Sequence, residues 1–308
     1  MIWDTYALLV AASLNAGTVL AFAALGLLIN EKAGVVNLGA EGMMLCAAMA
    51  GFACVVHTGS DGLGFVVGML VGAGLAGIFG VLTIWLGSNQ YATGLAMTLF
   101  GTGISAFVGT SYVQSTLPER THFQVPFLSD IPWLGNALFK QHPLVYAAVL
   151  LSLAMIYFLN KTRQGLILRG IGENPDSAHA LGYPVRRLRL WAVVFGGSLC
   201  GLAGAYLSVI YTPLWVEGMV AGKGWIALAL TTFATWRPGR VLLGAYLFGF
   251  VTMLQFHLQG AGVDVSSEFL TMLPYLANIV VLVMISRNSD WIKLNIPASL
   301  GKPYSPSA

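Results

Sequence analysis

Few polar residues interrupt this chain's apolar pattern, and those between positions 30 and 42 are the most concentrated. Asn30, Glu31, Lys32, Asn37 and Glu41 stand among Gly34, Gly39 and Gly42, directly after the first apolar run. A charged group near a bilayer interior is costly unless it faces a cavity or a partner, and unwound backbone is tolerated there only when buried in protein or lining water. The stretch reads as a broken element beside a translocation path, lined by Asn37 and Glu41. The competing reading is a cytoplasmic turn with Glu31 and Lys32 in solvent. A second polar break, Ser88-Asn89-Gln90-Tyr91-Ala92-Thr93-Gly94, carries no charge. Asn89 and Gln90 offer donors and acceptors suited to a neutral polar solute with ring nitrogens or hydroxyls, and a simple turn is the alternative. Gln255 and Asn278, each in a late apolar run, either line the same path or bond neighbouring helices.

Other chemistries fail on context. Gly72-Ala73-Gly74-Leu75-Ala76-Gly77 spells a dinucleotide fingerprint, but inside an apolar run with no preceding strand. Residues 218–224 resemble a phosphate loop around Lys223, yet Glu217 stands where the first glycine is required and Gly224 where a Ser or Thr is needed. The five histidines form no HExxH, and no serine lies in a GxSxG elbow. Cys46, Cys54 and Cys200 are odd in number and lack CxxC spacing, which suits packing rather than disulfides or zinc. No catalytic residue, metal site or cofactor is implied, and the pattern points away from an enzyme.

The elements that must position the polar residues are membrane spans. Of 308 residues, 57% are hydrophobic and 9% charged, against roughly 25% charged in soluble domains; mean hydropathy is +0.77. A crossing needs roughly 20 apolar residues, and the chain offers candidates at 6–29, 40–56, 63–86, 93–112, 144–159, 188–211, 219–235, 241–258 and 269–285. The expected fold is all-α and polytopic, with about nine transmembrane or re-entrant helices. A membrane domain spans 1–290 and a cytoplasmic tail 291–308. The 40–56 and 219–235 runs are short and glycine-flanked, and suit broken or re-entrant helices. The first run is too long for a signal-peptide core and has no basic flank, so it reads as a retained span. Gly68 with Gly72, and Gly197 with Gly201, form two GxxxG pairs that permit close helix approach.

The loop 161–189 carries six of the fifteen cations, Lys161, Arg163, Arg169, Arg186, Arg187 and Arg189, against Glu173 and Asp176. That excess marks it as cytoplasmic. Alternating from it places the N-terminus outside, the C-terminus inside, Arg237, Arg240, Arg287, Lys293 and Lys302 on the inner side, and most remaining acids outside. A net charge of +3 spread along inner ends does not suit nucleic-acid binding. Within the loop, Asn174 suits an N-cap, Pro175 the first helical position and Gly182 a left-handed stop, leaving about two turns between them. Such a helix needs a partner for stability. It suits docking of a cytoplasmic protein, a solvated loop without a partner being the alternative. The connection 114–142, with Pro118, Pro126, Pro132, Trp133 and Phe139, suits either an ordered external lid or a plain connector.

At these residues the sequence becomes familiar. The stretch Glu31-Lys32-Ala33-Gly34-Val35-Val36-Asn37-Leu38-Gly39-Ala40-Glu41-Gly42-Met43-Met44 resembles the signature of permease subunits of bacterial nucleoside and simple-sugar ABC importers, within the branched-chain amino acid and ribose permease superfamily. Positions 89–99, Gly170 through Gly182, Gly222-Lys223-Gly224-Trp225-Ile226-Ala227-Leu228-Ala229 and the ending Pro297-Ala298-Ser299-Leu300-Gly301-Lys302-Pro303-Tyr304 resemble it too, so the likeness covers nearly the whole chain. Ala40 and Ala234 depart from it, standing where a larger residue and a glycine are expected. The resemblance implies a multi-pass subunit of the bacterial inner membrane, surrounded by lipid. Its partners would be a second related permease, a cytoplasmic ABC ATPase and an external solute-binding protein, and its substrate a nucleoside or a sugar. It also implies a coupling helix at Glu173-Asn174-Pro175-Asp176-Ser177-Ala178-His179-Ala180-Leu181-Gly182. An ion-coupled secondary carrier is the less favoured reading, because acids within the spans are scarce and Glu41 is almost alone as a proton-relay candidate.

Overall fold

Long apolar runs bounded by capping residues fold here into a helical bundle. The computed structural model describes residues 2–118, 123–124, 129, 131, 135–260, 269, 272–273, 276–277, 279–280, 283 and 295–304. Ten α-helices occur among them: α1 (Ile2–Lys32), α2 (Ala40–Thr58), α3 (Asp61–Gly80), α4 (Gln90–Gly109), α5 (Pro143–Lys161), α6 (Arg163–Glu173), α7 (Pro175–Ala180), α8 (Val185–Tyr206), α9 (Lys223–Phe233) and α10 (Pro238–Gly260). Side-chain caps set several starts. Asn89 Oδ1 accepts from the Tyr91 and Ala92 N–H groups at 2.9 and 3.0 Å, His142 Nδ1 from Leu144, and Thr162 Oγ1 from Gly165. Among the described residues the one sheet, β1 (Phe123–Gln124) antiparallel to β2 (Lys140–Gln141), lies within the long 114–142 connection. Asn15 of α1 donates to the Gln141 side chain and accepts from the Tyr206 hydroxyl, tying that connection to α1 and α8.

Seven of these helices, among the described residues, are long and apolar enough to cross a membrane: α1, α2, α3, α4, α5, α8 and α10. The 40–56 run, expected to be broken or re-entrant, is instead the continuous 19-residue α2, whereas the 219–235 run is short, as its glycine-flanked sequence suggests. The 219–235 run forms only the 11-residue α9, about 16 Å long, against a hydrocarbon core of about 30 Å. The last expected span, 269–285, falls largely outside the described residues.

The core is built around α1, which packs against α8, α9 and α10, while α2 packs against α3, α4 and α8. The two GxxxG pairs meet each other: a methyl group on Gly72 would lie 2.3 Å from the Gly197 carbonyl oxygen, and one on Gly201 2.1 Å from that of Gly68. In lipid, where apolar transfer supplies no drive between helices, such backbone contact is the main source of attraction. The same device joins α2 to α4, where a methyl on Gly101 would lie 2.5 Å from Gly42 Cα.

These contacts make glycine position-specific along a single helix. Gly72→Ala is expected to cost about 1–3 kcal/mol by forcing α3 off α8. Gly74→Ala, with nothing within 4 Å of the added carbon, is expected to be neutral or slightly stabilising. Thermal unfolding of the two variants in detergent checks this; equal midpoints would mean that the α3–α8 contact does not limit stability.

Candidate functional site

Between α1 and α2 the chain is unwound from residue 33 to 39, and the unwound segment is buried. Gly34, with φ +88°, turns the chain back from the end of α1. The backbone then runs against the first turns of α4, with Leu38 and Gly39 so close to Gly94 that a methyl there would meet Leu38 N at 2.9 Å. Lacking helical partners, its polar groups take side chains instead. The Val36 N–H donates to Gln90 Oε1 at 2.8 Å, the Gly39 N–H to Asn37 Oδ1 at 3.0 Å, and Leu38 O accepts from Thr98 Oγ1 at 2.9 Å. Non-helical backbone at membrane depth survives only with such compensation.

This segment delivers Glu41 to the start of α9. Glu41 Oε1 accepts from the Gly222 N–H and Oε2 from the Gly224 N–H, both at 2.7 Å. A carboxylate at that place satisfies two N–H groups that helix geometry leaves without partners and offsets the positive end of the helix dipole. A side chain on Gly224 would lie 2.7 Å from Glu41 Cα, so only glycine allows the approach. A second carboxylate works at the far end of α9: Glu31 Oε2 accepts from Thr231 Oγ1 at 2.9 Å and from the Trp236 indole N–H. The turn it holds carries Thr235 at φ +50° and Trp236 at φ +52°, both left-handed without being glycine. That strain is sustained by the surrounding bonds. Ala234, beside it, has φ −72°, so alanine in place of the expected glycine creates no backbone strain.

At the end of the bundle carrying the 161–189 loop, α7 is the capped two-turn helix that its sequence predicts. Asn174 Oδ1 accepts from the Ser177 N–H at 3.0 Å, Pro175 leads the helix, and Gly182 ends it at φ +85°. Its inner side places Ala178 in a small core with Ile171 and Val185, against which Tyr304 packs. Its outer side is exposed, and Leu181 is 76% exposed at its tip. The tail at 295–304 folds onto this platform instead of lying free. Ser299 bonds Gly172 twice, accepts from Arg189 Nη2 at 2.7 Å, and is followed by Gly301, whose N–H donates to Gly34 O at 3.2 Å. Arg189 is also stacked over the Tyr304 ring, and Glu173 accepts from the Ala298 N–H. The tail therefore clamps α6, α8 and the unwound segment together.

The expected path residues thus come together in part. Asn37, Glu41 and Gln90 meet around the unwound segment, all buried and engaged with backbone or, for Asn37, with Met43 Sδ as well; Asn89 caps α4 at the surface. Gln255 is buried in α10, well along the chain from this cluster, and Asn278 lies outside the described residues. The residues Glu173 through Gly182 run from the end of α6 through α7, mostly exposed, with Ala178 turned into the core. The turn reading that left Glu31 and Lys32 in solvent is corrected, since both are buried, and sequence reasoning gave no site role to Glu31, Arg189 or Ser299. Glu31 carried a usable signal, an acid closing a long apolar run; the other two acquire their roles only by contacts across the fold. Asn30 also emerges: its amide is fully buried against Gly196 and makes no hydrogen bond.

Seven apolar helices, a buried unwound segment and a half-length helix define an all-α, multi-pass membrane protein. The description "Branched-chain amino acid transport system / permease component" matches residues 9–286, and the chain belongs to that family. It is 39% identical to a putative glucose ABC transporter permease of Haloferax volcanii, over 96% of both chains. It is 31% identical to a nucleoside ABC transporter permease of Lactococcus lactis, over 91% of this chain and 93% of that one. To a guanosine ABC transporter permease of Bacillus subtilis it is 29% identical over 96% of both. No solved structure matches it.

Removing the Glu41 carboxylate isolates its role. Glu41→Ala leaves the Gly222 and Gly224 N–H groups without their acceptor, at an expected cost of about 2–4 kcal/mol, while Glu41→Gln, which keeps one carbonyl acceptor, loses less. The readout is the unfolding midpoint in detergent. A Glu41→Ala chain as stable as the parent would show that α9 is held by packing alone.

Proposed function

We propose that this chain is the membrane-spanning subunit of an ATP-binding-cassette importer that carries nucleosides inward, with ATP hydrolysed by a separate cytoplasmic subunit. The observation that carries this reading is α7, a capped helix too short to stand alone, presented with an exposed Leu181 at the cationic end of the bundle. By the positive-inside rule that end is cytoplasmic, and the ATPase would dock there on the 173–182 surface. A second, related permease would complete the path, and an external binding protein would deliver the solute. The membrane is the inner membrane of a bacterium.

Transport on this reading is alternating access. Closure of the ATPases moves α7, and α6 and the tail carry the displacement to Gly34 through Ser299 and Gly301. The unwound segment ends at Glu41, so the same displacement reaches α9. Asn37, Glu41, Asn89, Gln90, Gln255 and Asn278 are the path residues on this reading, and a neutral solute would compete with the backbone groups that Asn37, Glu41, Asn89 and Gln90 hold in this arrangement. A segment held by side-chain hydrogen bonds rather than a helical ladder has low cost for rearrangement, and the strained turn at Thr235 and Trp236 stores energy that a second arrangement would release. Asn30, buried and without a hydrogen bond in this arrangement, would be relieved by a rearrangement that exposes its amide to a partner.

The sugar reading has a specific support, the 39% identity to a putative glucose permease. Nucleosides and hexoses share the hydroxyl-rich ring that amide side chains recognise, and a nucleoside adds ring nitrogens.

Two measurements test the proposal. Replacing residues 175–181 with a flexible linker is expected to abolish solute uptake into vesicles holding the assembled complex, with ATP hydrolysis no longer responding to the solute; full uptake by that variant would remove α7 from coupling. In the unmodified complex, unlabelled nucleosides are expected to compete with labelled nucleoside uptake and hexoses are not. Competition by glucose would move the chain to the sugar branch, and uptake that persists with a hydrolysis-dead ATPase would replace the ABC mechanism with an ion-coupled one.

A further inference from the structure

Helix α9 and the chain leading into it leave a strip of surface uncovered, and two rulers give its depth. Gly42, next to Glu41, packs on Gly101, the middle residue of the Gln90–Tyr112 span. Glu41 and the Gly222 and Gly224 N–H groups that it holds therefore lie near the centre of the membrane. The second ruler agrees. From that level α9 runs about 16 Å, half of the hydrocarbon core, to the turn before Arg237 and Arg240, cations that belong on the cytoplasmic side. Above the centre, Trp215 is buried against Gly109 near the outer end of α4, in a cluster with Ala48 and Phe52. The rise from Gly101 to Gly109 is about 12 Å, so residues 216–222 descend through the outer half of the membrane, and they do so without forming a helix.

This descent is open on one side. Val216 is 50% exposed, and Glu217, Gly218 and Ala221 are exposed as well. Turn bonds use the N–H groups of Met219 and Ala221, and Glu41 takes that of Gly222. Among the described residues, the N–H groups of Glu217 and Gly218 meet no acceptor. Irregular backbone does not face acyl chains, because nothing there replaces water as its partner. Below the descent α9 is open too: Trp225 is 38% exposed, Leu228 and Ala229 are half-buried and Thr232 is exposed, at the three- and four-residue spacing of one helix face. On the opposite face Ile226, Ala227 and Leu230 pack in the core. A carboxylate and unbonded N–H groups call for water, which an apolar helix of a neighbouring subunit does not supply. An indole face at mid-depth suits a flat or ring-shaped solute. We infer that the strip from Glu217 through Ala221 and Trp225 to Thr232 is a wall of a water-filled translocation path, and that the ring of a neutral, hydroxylated solute stacks on the Trp225 indole. This rests on the transport reading above and adds an exposed wall to it, since Asn37, Glu41, Gln90 and Gln255 are all buried in this arrangement.

The test places single cysteines in the full chain, assembled with its partners in vesicles, after Cys46→Ala, Cys54→Ala and Cys200→Ala. Each variant is first shown to co-purify with the partners. Ala221→Cys and Ala229→Cys, on either side of Trp225, are expected to react with a charged, hydrophilic thiol reagent on the order of tenfold or more faster than Leu70→Cys, because the reagent attacks the ionised thiol, which forms in water. Leu70, 65% exposed on α3, marks an apolar surface. The imported solute is expected to slow the reaction of Ala221→Cys. Reaction of Ala221→Cys and Ala229→Cys no faster than Leu70→Cys would overturn the inference and assign the strip to lipid or to the second permease. Reaction that no imported solute slows would overturn the stacking site. Trp225→Leu is expected to raise the KM for uptake on the order of tenfold, and Trp225→Phe to stay close to the parent; a parental KM for Trp225→Leu would remove the indole from recognition. The labelling does not depend on which solute is carried. Should the parent import hexoses and not nucleosides, the nucleoside reading falls, while protection by hexose supports the wall and its central ring.

Discussion

The arrangement of this protein depends on a carboxylate at a helix start. Glu41 accepts two backbone N–H groups at the start of α9, fixing the exposed end of an 11-residue helix whose apolar residues Ile226, Ala227 and Leu230 pack in the core. A buried carboxylate is itself costly unless hydrogen-bonded, so each element needs the other. Glu31 repeats the logic at the opposite end, holding Thr231 and Trp236. Both acids lie on the two sides of the unwound segment, and α9 is in effect suspended between the end of α1 and the start of α2.

Around that centre the bundle is held by backbone approaching backbone. Gly72 on Gly197, Gly201 on Gly68 and Gly101 on Gly42 bring helices so close that no methyl group fits between them. Contacts of this kind are bistable rather than elastic, because a close-packed surface has discrete resting positions. They contrast with the unwound segment, which is held by hydrogen bonds to the side chains of Gln90, Asn37 and Thr98.

The tail changes how the cationic end is understood. Ser299 and Arg189 join α6, α8 and the segment at Gly34 into one block, so α7 is not an isolated protrusion but the outer edge of a platform that touches the site directly. Tyr304 is shared between that platform and the small core beneath α7.

What the sequence by itself determined was local. Apolar length marks a span because the bilayer fixes the number of residues needed, and Asn174, Pro175 and Gly182 mark α7 because each satisfies a requirement of a helix end within three or four residues. Paired glycines announce close packing for the same reason, though not which pair meets which. The tertiary structure decided the rest. Asn37, Glu41 and Gln90 stood out as polar groups among apolar ones, but that their partners are the backbone of residues 36, 39, 222 and 224 depends on chain segments up to 183 positions apart. The short, glycine-flanked 219–235 run suggested a broken or re-entrant element, but that its half-length helix is held at its two ends by Glu41 and Glu31 is visible only in the fold. Arg189 and Ser299 carried no local signal at all, because an ordinary arginine and an ordinary serine become a clamp only when 110 residues of intervening chain bring them to 2.7 Å.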